Sequence, residues 1–173
     1  MQGFGDSPLE IMACQAMLDG RCFLQAFTYS ASWQTGTTTA LGANATVEIG
    51  TQINSDADFV IQEVEFTSTT AAGTFLATAD YLLTVVLSGS GRQIMNQAQM
   101  IANYAGSYQA AQVPRRLPMP ILVTANGTIT SVLVNRTAVA ANRADFSMHG
   151  FKVYYTMDKQ GITGDRTQIF HIL

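Results

Sequence analysis

The sequence predicts an all-β fold: an antiparallel β-sandwich of jelly-roll type, preceded by a short N-terminal helix. Three observations carry this. After residue 20, apolar and polar residues alternate in several separate runs, the period of strands with one buried face. The connections between runs are rich in Gly, Ser and Thr, and no helical segment alternates with the strands as a parallel sheet would require. The chain has 173 residues, 47% of them apolar, which is room for one domain with its own core and little more.

Residues 1–20 read as an N-terminal helical arm and residues 21–173 as the sandwich. In the arm, Ser7-Pro8-Leu9-Glu10 is a capping box with proline at the first helical position. Ile11, Met12, Ala13, Ala16, Met17 and Leu18 follow, and Gly20 can close the helix in a left-handed cap. Two readings of the arm stand: it packs on its own domain, or Ile11, Met12 and Met17 dock it on a partner subunit.

The first strand runs from Cys22 to Trp33, with Phe23, Phe27, Tyr29 and Trp33 on one face. Thr46 to Ile53 turns Val47, Ile49 and Ile53 inward. Phe59 to Thr67 sets Val64 and Phe66 against Glu63 and Glu65. Tyr81 to Leu87 is almost wholly apolar, as in a central strand covered on both faces. Arg92 to Gln112 fits either a helical face of Ile94, Ala98, Ile101 and Ala105 or a long excursion with short strands. Pro114, Pro118 and Pro120 then mark a rigid approach to an edge strand. Ile121–Val123 and Ile129–Val134 flank Asn126-Gly127, a pair suited to a type I′ hairpin turn. In Phe146 to Met157 the apolar positions switch parity at Gly150, which predicts a β-bulge there. A short run near Ile169–Ile172 reads as a terminal strand.

Charge limits the function classes. Charged residues make up only 12% of the chain, about half the usual share. The net charge of −3 argues against nucleic-acid binding. No apolar run reaches the roughly 20 residues of a membrane span. Met1 to Asp19 lacks the basic start and long apolar run of a signal peptide, so synthesis in the cytoplasm is expected. Cys14 and Cys22 read as reduced thiols rather than a disulfide framework. With His149 and His171 the only histidines, neither a metal site nor a cofactor is expected. Asn44, Asn126 and Asn135 match the N-glycosylation pattern by chance and read as turn and strand residues.

Motifs that resemble chemistry have plainer readings. Ser88-Gly-Ser-Gly-Arg92 lacks the Lys-Ser/Thr of a phosphate loop and reads as a tight interstrand turn. Asp56 and Asp58 lack the further oxygen ligands of a calcium loop and read as Asx-type turn residues. Glu63 and Glu65 read as the solvated side of a strand. His149 is catalytic by type, but no Ser or Asp near it in sequence completes a triad. Arg115 and Arg116, held between prolines, suit bidentate contact with a neighbour's carboxylates, against the plainer role of solubility.

The order and spacing of several segments then carry a resemblance. They are Gly91-Arg92 with Met95-Asn96, a Gly106 loop, Gln112-Val-Pro-Arg-Arg-Leu-Pro-Met-Pro120 and Asn126-Gly-Thr-Ile129. Val134-Asn-Arg-Thr137, Phe146 through Tyr154 and, upstream, Ile53-Asn-Ser-Asp-Ala-Asp-Phe-Val60 continue it. Over about two thirds of the chain, the arm excepted, this resembles the small β-sandwich virion proteins of tailed bacteriophages. The resemblance implies a cement or decoration protein, not an enzyme, that binds the major capsid protein on the capsid exterior and self-associates as a dimer or trimer. It carries over no catalytic residue. A tail, fibre or neck accessory protein is the alternative, with Trp33, Tyr104, Tyr108 and Tyr155 available to stack sugars.

Overall fold

A computed structural model describes residues 8–18, 20, 22–38, 40–70, 81–88, 92–95, 97–105 and 114–155. The helix α1 spans Pro8–Leu18. It stops at Gly20, whose φ of +70° is cheap only without a Cβ and whose N–H reaches the Met17 carbonyl. The strands are β1 (Cys22–Gln34), β2 (Thr46–Gln52), β3 (Asp58–Thr69), β4 (Tyr81–Ser88), β5 (Arg92–Gln93), β6 (Gln99–Met100), β7 (Arg115–Val123), β8 (Thr128–Asn135) and β9 (Arg143–Tyr155). A single helical turn, α2, covers Ile101–Tyr104.

The strands form two sheets, ordered β1-β9-β3-β7 and β2-β8-β4-β5, with β6 also pairing β4. All pairings are antiparallel. Counted together, β5 and β6 are one broken edge strand, and the two sheets then interleave in chain order as a jelly roll does. The stretch from Arg92 is therefore short strand followed by one helical turn, while residues 106–113 lie outside the described residues.

The main core lies between the sheets. From the first sheet come Tyr29, Ala31 and Trp33 of β1, Phe59, Ile61, Val64 and Phe66 of β3, and Phe146 and Met148 of β9. Tyr81, Leu83, Val85, Ile129 and Leu133 answer from the second. A smaller cluster lies on the outer side of the first sheet. There Cys22, Val60, Phe151 and Val153 pack under Ala16 of α1, with Leu24, Leu122 and Tyr155 at its margin. The arm thus packs on its own domain, and a fully buried Ala16 lets the helix backbone come close to the strands. Cys22 is buried, Cys14 is half-buried, and neither is in a disulfide.

Five sequence expectations need correction. The bulge is on β3, not β9. Against β1, β9 keeps one register through Gly150, whereas β3 slips by one residue between Ile61 and Glu63. The parity switch in β9 has another cause: Phe146 and Met148 face the sandwich core, and Phe151 and Val153 face the helix. Second, Asn126-Gly127 does not close a hairpin, because β7 and β8 belong to different sheets. Asn126 has φ +62°, and Gly127 N–H reaches the Thr124 carbonyl at 2.9 Å, the pattern of a type II turn. Third, β4 is buried on one face and half-exposed on the other. Fourth, Asp56 and Asp58 do more than hold the turn before β3, because each makes a long-range bond. Asp58 accepts from Ala125 N–H and from the Tyr155 hydroxyl. Fifth, Pro118 and Pro120 lie within edge strand β7, where the pairing with β3 slips, rather than on an approach to it.

The three Asn-x-Thr sites are structural. Asn44 has φ +50° and Asn126 occupies its turn. Asn135 is buried, with its amide donating to the Gly42 and Val139 carbonyls and accepting from Thr137 N–H. The Ser88–Arg92 segment joins paired strands, with Leu87 opposite Arg92, although residues 89–91 lie outside the described residues. The expected strand at Ile169–Ile172 and the residues Ser7, Tyr108 and His171 lie outside them too.

Candidate functional site

The Cys22–Leu24 end of β1 brings together the helix, an exposed and a half-buried aromatic ring, and a buried lysine. On the outer side, α1 is anchored through Ala16 and turns Ile11, Met17 and Leu18 outward, with exposures of 56%, 43% and 77%. These are the large apolar side chains that the described part of the helix leaves facing solvent. The Met12 side chain lies outside what the structure describes.

On the inner side, Phe23 and Tyr154 face each other across the β1–β9 register and stack, with centroids 4.5 Å apart and planes within 6°. One strand position inward is Lys152, a residue of inner-face parity with its side chain only 3% exposed. Its ammonium donates to both Asp56 carboxylate oxygens at 3.0 Å and lies 4.5 Å above the Phe27 ring. The Tyr154 hydroxyl also reaches Asp56, at 3.1 Å, and Gln25, at 3.0 Å. A phenol has one proton, and the charged acceptor Asp56 holds it best. The network ties the β2–β3 connection to β9, and Asp56 forms one wall of an open groove lined by Gln52, Ile53, Asn54, Ser55 and Asn126. Sequence reasoning passed over Lys152, though it is the one acid or base by type, apart from His149, between Phe146 and Tyr155.

The hydrogen bond from Lys152 is the main influence holding the Asp56 carboxyl below its ordinary pKa, against some desolvation. For Lys152, burial is the largest single influence and disfavours the charged form. It is outweighed by the Asp56 hydrogen bond together with the charges of Tyr29, Asp56 and Tyr154, so the ammonium ends above its ordinary pKa. The signs define a window. A lowered carboxyl contributes stability that is lost as pH falls below about 4, and a raised ammonium contributes stability that is lost as pH rises beyond about 10. Asp56→Asn should therefore lower Tm by a constant amount between those limits, with the gap to the parent narrowing outside them. A gap independent of pH in Tm measurements from pH 3 to 11 would mean the pair contributes nothing.

The outer face of β1 and β9 beyond the helix is polar. Thr28, Ser30 and Ser32 bond their register partners His149, Ser147 and Asp145, and Arg143 pairs with Asp145. His149 Nδ1 meets the Thr28 hydroxyl at 3.0 Å, and Nε2 lies 3.3 Å from Glu65 without hydrogen-bond alignment. A hydroxyl, an imidazole and a carboxylate do meet here, and only the fold could reveal it. They stand side by side on the outer face of three adjacent strands, β1, β9 and β3.

Arg115 and Arg116 are not part of the helix surface. They open β7, at the opposite edge of the sheet from β1 with β9 and β3 between, about 14 Å away at ordinary strand spacing. Arg115 is exposed and donates to the Asn103 carbonyl, and Arg116 is half-buried in register with Glu63. The sugar-stacking candidates are also dispersed. Trp33 is fully buried. Tyr104 is half-buried against Phe146, with burial pushing its pKa up to about 12. Tyr155 donates to buried Asp58. Among the described residues no three His, Cys, Asp or Glu side chains gather as a metal site would need, and no helix is long and apolar enough to cross a membrane.

No family model matches the chain, and no curated protein matches it. Among solved structures, the ANX2 ectodomain from Arabidopsis thaliana aligns with a TM-score of 0.34 and 8% identity, covering 72% of this chain and 32% of that one. The infectious bursal disease virus VP2 subviral particle aligns with a TM-score of 0.31 and 12% identity, covering 78% of this chain and 33% of that one. The chain spans about a third of the length of either, and at these scores neither bears on family or function.

Proposed function

We propose that this protein is a structural component of a virion: a jelly-roll cement or decoration protein, made in the host cytoplasm, that binds the major capsid protein on the outside of a shell. The observation that carries this is the helix α1, whose Ala16 side is sealed onto the sheet while Ile11, Met17 and Leu18 point outward. A rigid sandwich with an anchored apolar helix suits clamping between larger subunits. The low charge content supports it, because burying an unpaired charge costs several kcal/mol. The choice of a capsid as the surface follows the sequence resemblance to tailed-phage virion proteins. The fibre alternative loses its stacking residue Trp33 to the core.

Copy counting by mass spectrometry of purified particles tests the reading. Many copies per particle are expected, and one copy or none would overturn it. In an add-back assay on particles stripped of the protein, Leu18→Lys should weaken binding about tenfold or more. Its Tm should be unchanged, because Leu18 is already 77% exposed.

A further inference from the structure

We propose that the groove between the β2–β3 connection and the β7–β8 turn is a binding site for an uncharged saccharide. The proposal concerns the chain alone and stands or falls apart from the virion reading.

The groove has a volume of about 460 Å³, within the roughly 300–1,000 Å³ usual for small-molecule sites. Its lining differs from theirs. Such sites are mostly apolar, whereas here Ile53 is the one apolar residue beside Gln52, Asn54, Ser55, Asp56 and Asn126. All five of these polar residues are exposed. Three carboxamides and a hydroxyl offer donors and acceptors side by side. A sugar hydroxyl donates and accepts at once, so neighbouring hydroxyls on a saccharide match such a surface.

Charge narrows the choice. Among the described residues that line the groove, Asp56 is the only one that ionises. The Lys152 ammonium neutralises it with two bonds of 3.0 Å. A cation therefore meets no spare negative charge. An anion meets a carboxylate standing before an ammonium whose side chain is only 3% exposed. The Asp56 side chain is itself 46% exposed, so a ligand hydroxyl can donate to it.

The walls are fixed before any ligand arrives. Ile53 N–H donates to the Gly127 carbonyl at 2.8 Å, and Asn54 N–H donates to the Tyr29 hydroxyl at 3.1 Å. Ala125 N–H, in the turn that carries Asn126, donates to Asp58 at 2.7 Å. These bonds tie the two connections together, which leaves little ordering to oppose binding. An aromatic face stands next to the Asp56 wall. The Tyr154 hydroxyl reaches Asp56, and the Tyr154 ring stacks on Phe23, which is 53% exposed. The apolar C–H face of a sugar ring can lie on such an aromatic ring while its hydroxyls meet the amides. Trp33, Tyr104 and Tyr155 take no part.

A glycan array of neutral, sialylated and sulfated oligosaccharides, probed with the purified full chain, tests this. Calorimetric titration with the strongest neutral glycan of the array, as free sugar, then measures each variant. Neutral glycans should bind, and charged ones should bind no better. Asn126→Gly removes one amide and suits the φ of +62° at that position. Asn54→Ala removes another. Each should weaken binding about fivefold, and the double variant should weaken it about twentyfold or more. Both side chains are exposed, so Tm should stay at the parent value. Phe23→Ala, which strips the aromatic face, should weaken binding by a factor similar to either amide variant. Gln99→Ala, exposed on β6, should bind as the parent does. An array on which no neutral glycan binds would overturn the proposal. So would a preference for sialylated or sulfated glycans, or binding that the double variant leaves intact.

Discussion

Gly150→Ala should destabilise the protein by about 4 kcal/mol or more, lowering Tm by about 10 °C. Gly150 sits between Phe27 of β1 and Ile61 of β3. A Cβ at this position would lie 1.8 Å from the Val60 carbonyl oxygen and 2.9 Å from its carbon. Both are backbone atoms of a strand paired on both sides, so no side-chain rotation relieves the overlap. The crowding comes from the extra residue Gln62 on β3, which brings that backbone toward β9. Deleting Gln62 restores plain alternation from Ile61 through Glu63 to Val64, and it should recover part of the loss when combined with Gly150→Ala. Gly42→Ala is the matched control: its Cβ would meet only Ala45 at 3.6 Å, an ordinary contact, and Tm should barely move. Thermal unfolding followed by far-UV circular dichroism decides it. A Gly150→Ala protein within 1 kcal/mol of the parent would mean that the bulge is not rigid.

The glycine was visible in the sequence and its role was not. A parity switch in a hydrophobic pattern has two physical causes: an extra residue, or a strand that stays regular while the face it buries changes. Phe146, Met148, Phe151 and Val153 satisfy both, and only the helix over Phe151 and Val153 separates them. The run Phe59–Thr67 held the complementary signal, because Ile61 and Val64 both face the core three positions apart. The strands with one buried face were legible because alternation is local. Which sheet each joins is not local, which is why Asn126-Gly127 read as a hairpin although it carries the chain from one sheet to the other.

The site divides in the same way. The helix and its end at Gly20 were legible, and Ile11 and Met17 are exposed, while the capping residue Ser7 lies outside the described residues. Ala16 packs the helix on its own sheet, as one of the two readings of the arm has it, and docking on a partner stays a proposal. The pairing of Lys152 with Asp56 joins residues far apart in sequence, and an isolated lysine in an apolar run carries no sign of its partner. Arg115 and Arg116 drew notice because arginine is scarce, yet Arg115 already donates to a backbone carbonyl.

Trp33→Ala should cost about 3–5 kcal/mol, the usual range for emptying a buried aromatic site. That is a large part of the roughly 5–15 kcal/mol that holds a domain folded. Trp33 is fully buried on the inner face of β1, and its indole N–H donates to the Val47 carbonyl of β2. These are the facing edge strands of the two sheets, so this one side chain both fills the core and fastens the sandwich at an open side. Removing it leaves a cavity and takes one hydrogen bond from the Val47 carbonyl. Trp33→Phe separates the two effects: most of the ring volume stays and only the hydrogen bond is lost, for a cost of about 1 kcal/mol from the bond plus a small packing loss. Because Trp33 is the sole tryptophan, its fluorescence in the parent should shift to the red in one step with loss of the far-UV signal. Denaturant titrations of the parent and both variants, followed by circular dichroism, give the costs. Equal losses in the two variants would place the whole effect in the Val47 bond, and a Trp33→Ala loss under about 1 kcal/mol would mean the indole does not fasten the sheets.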